Sequence, residues 1–180
     1  MIKMLEPMMG EIEQEAATTK RVLQRVPADK LKWKPHPRSM SLGQLAMHVA
    51  MIPGSITKLA QVDEFEVNPA NFNPPDPKNA DEILKALDAS IQAAREYLSG
   101  LSESALMGNW RLKANGKEVM AMPRAGLLRA IMLNHWYHHR GQLSVYLRLL
   151  EVPVPTIYGP SADENPFVQS ERTTTNSALA

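Results

Sequence analysis

Apolar positions recur every three or four residues in four stretches of the chain, the spacing of amphipathic helices. In the first, Leu5, Met8, Ile12, Ala16, Thr19, Leu23 and Val26 form one stripe, and Pro27 ends it. The second starts at Ser41. Ser41 and Gln44 fit a capping box, in which the serine oxygen takes an orphan backbone N–H and the glutamine reaches back. Its inward stripe is Gln44, Leu45, His48 and Ile52, and Pro53-Gly54 is placed to bend or end it. The third begins near Asn79, whose spacing to Glu82 again suggests a capping box. It carries Leu84, Leu87, Ile91, Ala94 and Leu98 and stops at Gly100. The fourth is one helix from Pro123, which suits a first turn, to Leu150, with Pro153 and Pro155 beyond it.

Between these stretches the pattern lapses. Residues 27–40 include Pro35-His36-Pro37 and read as an extended connection packed down by Trp33. Residues 61–78 hold four prolines and little periodicity, a loop long enough to carry the chain from one end of a bundle to the other. Asn115-Gly116 is a two-residue hairpin signal, with Trp110-Arg111-Leu112 and Glu118-Val119-Met120 as its short strands. Residues 158–164 are irregular, and the polar, threonine-rich tail from Gln169 is expected to be flexible. The expectation is an all-α fold: a four-helix bundle with a long crossover between helices two and three and a small hairpin-like insertion before helix four. It forms a single domain over residues 1–168, followed by a tail at 169–180.

Composition narrows the function. With 20 basic and 19 acidic residues and no long basic run, there is no electrostatic case for binding nucleic acid or an anionic membrane. The absence of cysteine excludes disulfides, thiolate metal ligands and a cysteine nucleophile. No signal-peptide pattern or bilayer-length apolar run is visible, so a cytoplasmic protein is expected. The 11 methionines sit mostly at helical spacings and read as core filling.

The histidines change the picture. Three of the 5 fall between Asn134 and Leu143. His135 and His139 are four residues apart and share a helix face, with Leu128, Ile131, Gln142 and Tyr146 on it at about 100° per residue. Imidazoles on an inward face need partners, because a buried polar nitrogen without one costs about 1–3 kcal/mol. A metal ion would serve both rings; hydrogen-bonded core histidines are the alternative. His48, on the inward stripe of another helix, is the third histidine of this kind, and bundle cores are where facing helices build metal sites. His48, His135 and His139 are therefore expected to bind one divalent metal. Three neutral imidazoles favour Zn²⁺, Ni²⁺ or Fe²⁺ over Mg²⁺ or Ca²⁺. Three protein ligands leave a coordination position open, and the ion keeps its full charge, which attracts a thiolate or carboxylate.

The neighbouring residues have two readings each. Gln142 and Asn134 are placed to orient a ligand histidine or to make an ordinary bundle hydrogen bond. Tyr146 is placed to hydrogen-bond a metal-bound group or to fill the core. His138, about 60° from His135, suits a hydrogen bond at a helix or subunit contact, and His36 a surface position. Arg140 projects away from the ligand face and suits an acidic partner on a neighbouring helix. Asp163 and Glu164 read as a solvated loop rather than a fourth ligand. No residue stands out as catalytic.

Three segments together resemble a known family: Val26-Pro27 through Trp33-Lys34-Pro35-His36-Pro37, Ser41-Leu42-Gly43-Gln44-Leu45 leading to His48, and His135-Trp136-Tyr137-His138-His139-Arg140-Gly141-Gln142-Leu143. The chain resembles the DinB-like (DinB/YfiT-like) metalloenzyme family from about Leu5 to Glu164. The resemblance implies a down-up-up-down bundle, usually a homodimer, with nickel or zinc held by His48, His135 and His139. It also implies a function. Better-understood relatives are thiol-dependent transferases and isomerases, in which the metal activates the thiol of a low-molecular-weight cofactor. The expected function is thus a metal-dependent transferase joining a small thiol to an electrophilic small molecule. A metal-dependent hydrolase is one alternative, although no general base is evident. A non-catalytic metal- or small-ligand-binding bundle protein is the other.

Overall fold

The computed structural model describes residues 3–68 and 74–167. α1 (Glu6–Leu23) follows a single 3₁₀ turn, Lys3–Leu5. Side-chain caps start α2 (Leu42–Leu59) and α3 (Ala80–Ser99). α2 opens on the full capping box: the Gln44 N–H donates to Ser41 Oγ at 3.1 Å, and the Ser41 N–H donates to Gln44 Oε1 at 3.0 Å. α3 has only half of its box. The Glu82 N–H donates to Asn79 Oδ1 at 3.0 Å, but the Glu82 carboxylate accepts from the Lys78 N–H instead, at 2.8 Å. Pro53 does not end α2, which runs on to Leu59. Packing supports it there. Thr57 Oγ1 donates to the Pro53 carbonyl at 2.9 Å, and the Gly54 N–H donates to Ser90 Oγ on α3 at 2.7 Å. A Cβ at Gly54 would stand 2.9 Å from the Ser90 Cα, so glycine is what lets the two backbones meet.

Side-chain pairings fix the helix directions. Gly43 lies by Pro77, Gly54 by Ser90, and the Tyr97 hydroxyl donates to the Ala60 carbonyl, so α2 and α3 run parallel. Lys20 pairs with Asp88 and Glu13 with Arg95, so α1 runs antiparallel to α3. The last helix, α5 (residues 124–149), reaches α1 through Glu11–Arg129 and Glu15–Arg140, in the same direction. Parallel α2 and α3 need a long connection, as the stretch over residues 61–78 predicts; residues 69–73 of it lie outside the described residues.

The fold is mostly helical but not all-α, which corrects the sequence expectation. A short helix, α4 (Glu103–Met107), leads into a three-stranded sheet of β1 (Glu64–Val67), β2 (Asn109–Ala114) and β3 (Lys117–Pro123), in the order β1-β2-β3. β2 and β3 are the predicted hairpin, longer than expected. Asn115 (φ 51) and Gly116 (φ 73) both take the positive φ that its tight turn needs. β1 lies inside the stretch read as patternless and pairs parallel with β2. The sheet has its own small core: Trp110, Leu127 and Ala60, with Phe65, Leu112, Met120 and Met122 packed against them. Arg124, nearly buried, binds the sheet to the end of α2 by donating to the Ala60 carbonyl at 2.8 Å and the Val62 carbonyl at 3.2 Å.

α5 spans residues 124–149, but not as one uniform α-helix. It opens as Arg124–Gly126, widens into a π-helical stretch, Leu127–Leu133, and becomes α-helical at Asn134–Leu149. The wider turn shifts the phase between the two parts. The buried stripe is Leu128, Met132, Trp136, Arg140, Leu143 and Leu147. His135 and His139 sit at its edge, half-buried, rather than at its centre as the uniform-helix reading placed them. The tail expected from Gln169 onward lies outside the described residues.

Candidate metal centre

The N-terminal half of α2 is almost wholly apolar, and Leu45, Val49 and Ile52 bury it against the core. His48 lies between them, half-buried and facing α5. The edge position of His135 and His139 on α5 brings them to the same place. His48 Nε2 and His135 Nε2 are 3.1 Å apart, and one ligand atom from each of the three rings lies within 4.8 Å of the others. The rings stand nearly perpendicular in every pairing, at interplanar angles of 87°, 80° and 85°. Among the described residues these three form the one group able to hold a metal ion.

The donor set fits a cation. The contact between His48 Nε2 and His135 Nε2 can be made by a neutral N–H···N hydrogen bond, its direction set by the tautomers, or by a metal that takes both lone pairs. Burial and the neighbouring rings keep the rings from taking a second, charging proton: His48 and His135 are both pushed down to about 4. His139 is also lowered, chiefly by burial. Neutral rings keep the lone pairs that a metal needs. The 3.1 Å separation of the two Nε2 atoms is short enough for one ion to take both. His139 Nδ1 lies 2.7 Å from Gln142 Oε1. An amide oxygen accepts, so Nδ1 donates, and the lone pair is left on Nε2.

The other predicted neighbours divide. Gln142 touches a ring of the cluster; Asn134 is exposed and hydrogen-bonds none of them. The Tyr146 hydroxyl donates to the Met40 carbonyl at 3.4 Å, and its ring meets Trp33 edge-on at 5.7 Å, so it clamps the 27–41 connection beside the cluster. His138 is exposed, with its ring 4.9 Å from that of His139. His36 is exposed. Asp163 and Glu164 are tied elsewhere, Asp163 to Arg148 and Glu164 to Arg25.

Arg140 does face away from the cluster, toward an acid. It is 1% exposed and pairs with Glu15 on α1 at 2.6 Å, while donating to Thr19 Oγ1 and to the Tyr158 hydroxyl. The Tyr158 contact fastens the segment after α5, and no local spacing pointed to it.

One feature of the surroundings went unread in the sequence. None of the 19 acidic residues falls in residues 30–62 or 119–150, the two segments that build the cluster. No carboxylate there completes a ligand set or serves as a base.

The sequence matches the DinB family over residues 1–172. It is 28% identical over 168 residues to the uncharacterized protein YrdA of Bacillus subtilis (strain 168), a likeness covering 91% of this chain and 93% of that protein. Among solved structures, it is similar to a DinB-like protein from Bacillus cereus ATCC 10987, with a TM-score of 0.61 at 23% identity over 81% of this chain and 92% of that one. It is also similar to the DinB-like protein YjoA from Bacillus subtilis, with a TM-score of 0.60 at 20% identity over 84% of this chain and 96% of that one. At these identities the structural likeness concerns the fold.

Proposed function

The chain belongs to the DinB family, and from that premise we propose a divalent-metal-dependent transferase that joins a small thiol to an electrophilic substrate at His48, His135 and His139. The observation that supports it best is the donor set: three neutral imidazoles from two helices, half-buried, with no carboxylate among the described residues joining the group. Nickel or zinc suits such a set, with iron a third candidate. When bound, the ion lowers the pKa of a thiol at an open position and holds it close to an acceptor.

The chain's own residues have separable parts in this scheme. Gln142 holds the proton of His139 on Nδ1 and so turns Nε2 toward the cluster. Tyr146, fixed by Met40 and Trp33, closes one flank. The half-exposure of all three histidines keeps one side open to a small molecule. Hydrolysis fits less well, because the acid-free segments offer no carboxylate to deprotonate a water. The helix directions and the long connection support reading the fold as the family's down-up-up-down bundle, a single domain over residues 1–168; a homodimer is part of the same proposal.

Metal analysis of protein purified without an affinity tag, followed by thiol titration of the cobalt-substituted form, tests the proposal. One equivalent of metal is expected, lost in His48→Ala, His135→Ala and His139→Ala. A sulfur-to-metal charge-transfer band should appear as thiol is added, with metal-dependent thiol addition above the uncatalysed rate. Bound metal with no thiol response would turn the assignment toward a structural or hydrolytic role. No metal would leave three hydrogen-bonded core histidines.

A further inference from the structure

We infer that the cleft between the ends of α2 and α3 and the start of α5 is a second binding site, for a small carboxylate that pairs with Arg124 in place of Asp63. The site is independent of whatever the histidine centre binds. Ala60, at its edge, lies 12 residues beyond His48, about 18 Å along α2.

The cleft offers about 390 Å³, room for a small organic molecule. Tyr97 and Leu101 at the end of α3 and Ala105 of α4 give it apolar walls, and Arg124 and Asp63 are its charged residues. The Arg124 side chain is only 9% exposed. Its Nε donates to the Ala60 carbonyl and its Nη2 to the Val62 carbonyl, which fixes the plane of the guanidinium. Nη1 reaches the Ala105 carbonyl only at 3.5 Å, the limit of a hydrogen bond. Gly108 keeps the space beside Nη1 open. Its φ of −63° and ψ of 143° suit any residue, yet a Cβ there would stand 3.1 Å from Nη1 and 3.2 Å from the Ala105 carbonyl. Glycine therefore supplies room at this position rather than a special conformation.

Asp63 shows what this face of the guanidinium takes. It meets Nη2 through one oxygen, Oδ1. A carboxylate free to turn takes Nη1 and Nη2 together, the two-pronged pairing that a guanidinium favours. The Asp63 side chain is 80% exposed, and an ion pair so open to water holds weakly. A ligand carboxylate thus displaces Asp63 readily, and the nearly buried guanidinium has a counter-charge before and after the exchange. Asp63 acts as a tethered competitor for the site.

Titration of the isotope-labelled full chain with benzoate and with neutral benzamide tests the inference, read from backbone amide shifts. Benzoate is expected to move the Gln61, Ser104 and Gly108 amides saturably, and benzamide to leave them in place. Asp63→Ala keeps the backbone bond from the Arg111 N–H to the residue 63 carbonyl and removes the competitor, so benzoate should bind about three- to fivefold more tightly. Gly108→Ala should weaken binding by setting a methyl against Nη1; should that variant fail to fold, Asp63→Ala alone decides. No saturable shift at these amides, an equal response to benzamide, or an affinity unmoved by Asp63→Ala would each overturn the inference. Shifts confined to the neighbours of His48, His135 and His139 would overturn it as well, because the carboxylate would then sit at the histidine centre.

Discussion

At the scale of the residue, the centre depends on how three imidazoles hold their protons. His139 is the one whose tautomer the structure sets, through the 2.7 Å contact of its Nδ1 with Gln142 Oε1. Gln142→Leu removes the acceptor while leaving the ligand in place. Metal affinity should fall about 10- to 100-fold, the usual effect of losing such a support. The melting temperature of the metal-free protein should hardly move, because Gln142 is exposed. Equal metal affinity in the variant and the wild type, measured by competition with a chelator, would assign Gln142 to the surface. Acid offers a second check. In the metal-free protein His48 and His135 resist protonation until about pH 4, whereas in the unfolded chain they take up protons near their ordinary 6.5. Between those values the unfolded state binds more protons, so stability is present above pH 6.5 and is lost as the pH falls toward 4. Urea midpoints followed across that window should drop in the wild type and drop less in a His48→Gln, His135→Gln variant.

At the scale of the element, α5 joins two functions that a plain helix would have put in competition. Its buried stripe binds the core, and its edge holds two histidines. The π-helical stretch Leu127–Leu133 separates the two faces by changing the phase between them. That stretch was not legible in the sequence, since the same apolar residues also satisfy a 3.6-residue period. β1 was not legible for a related reason. A four-residue strand offers only Phe65 and Val67 to alternate with Glu64 and Glu66, and its partner β2 is distant in the chain. By contrast, the α2 capping box, the Asn115-Gly116 turn and the grouping of His135 with His139 rest on residues within four of one another, and those were readable. Arg140 was readable only in part: its direction followed from helix phase, but its partner Glu15 did not. That pair is 1% and 8% exposed. Arg140→Met should therefore cost about 3–5 kcal/mol in denaturant unfolding, because the buried Glu15 carboxylate loses its cation and keeps only the hydrogen bond from the Tyr158 hydroxyl. A loss below about 1 kcal/mol would mean that water reaches Glu15 once the guanidinium is gone.

At the scale of the whole molecule, the helix stripes account for most of the fold. The stripes predicted on α1, α2 and α3 turn apolar residues into one large core, which α5 joins through a stripe shifted from the predicted one. The outer face of α5 is less finished. Val145 and Leu149, one turn apart, are both 57% exposed. In the proposed homodimer this face is a natural contact. Light scattering should return a dimer at micromolar concentration, and Val145→Glu with Leu149→Glu should shift it toward monomer without loss of helicity. A dimer indifferent to both changes would place the interface elsewhere.

The distance in sequence between the histidines has a kinetic consequence. His48 and His135 are 87 residues apart, and the Arg140 contact with the Glu15 carbonyl spans 125. Contacts of that separation close late and slowly, because the entropy of bringing distant segments together is lost before they gain anything. Before the distant segments meet, His135 and His139 are close enough in sequence to share an ion, and one turn of helix sets them on the same face. The third ligand arrives when α2 docks on α5. Tight metal capture is thus a clock for the last stage of assembly, and its rate after dilution from denaturant should follow the slowest folding phase.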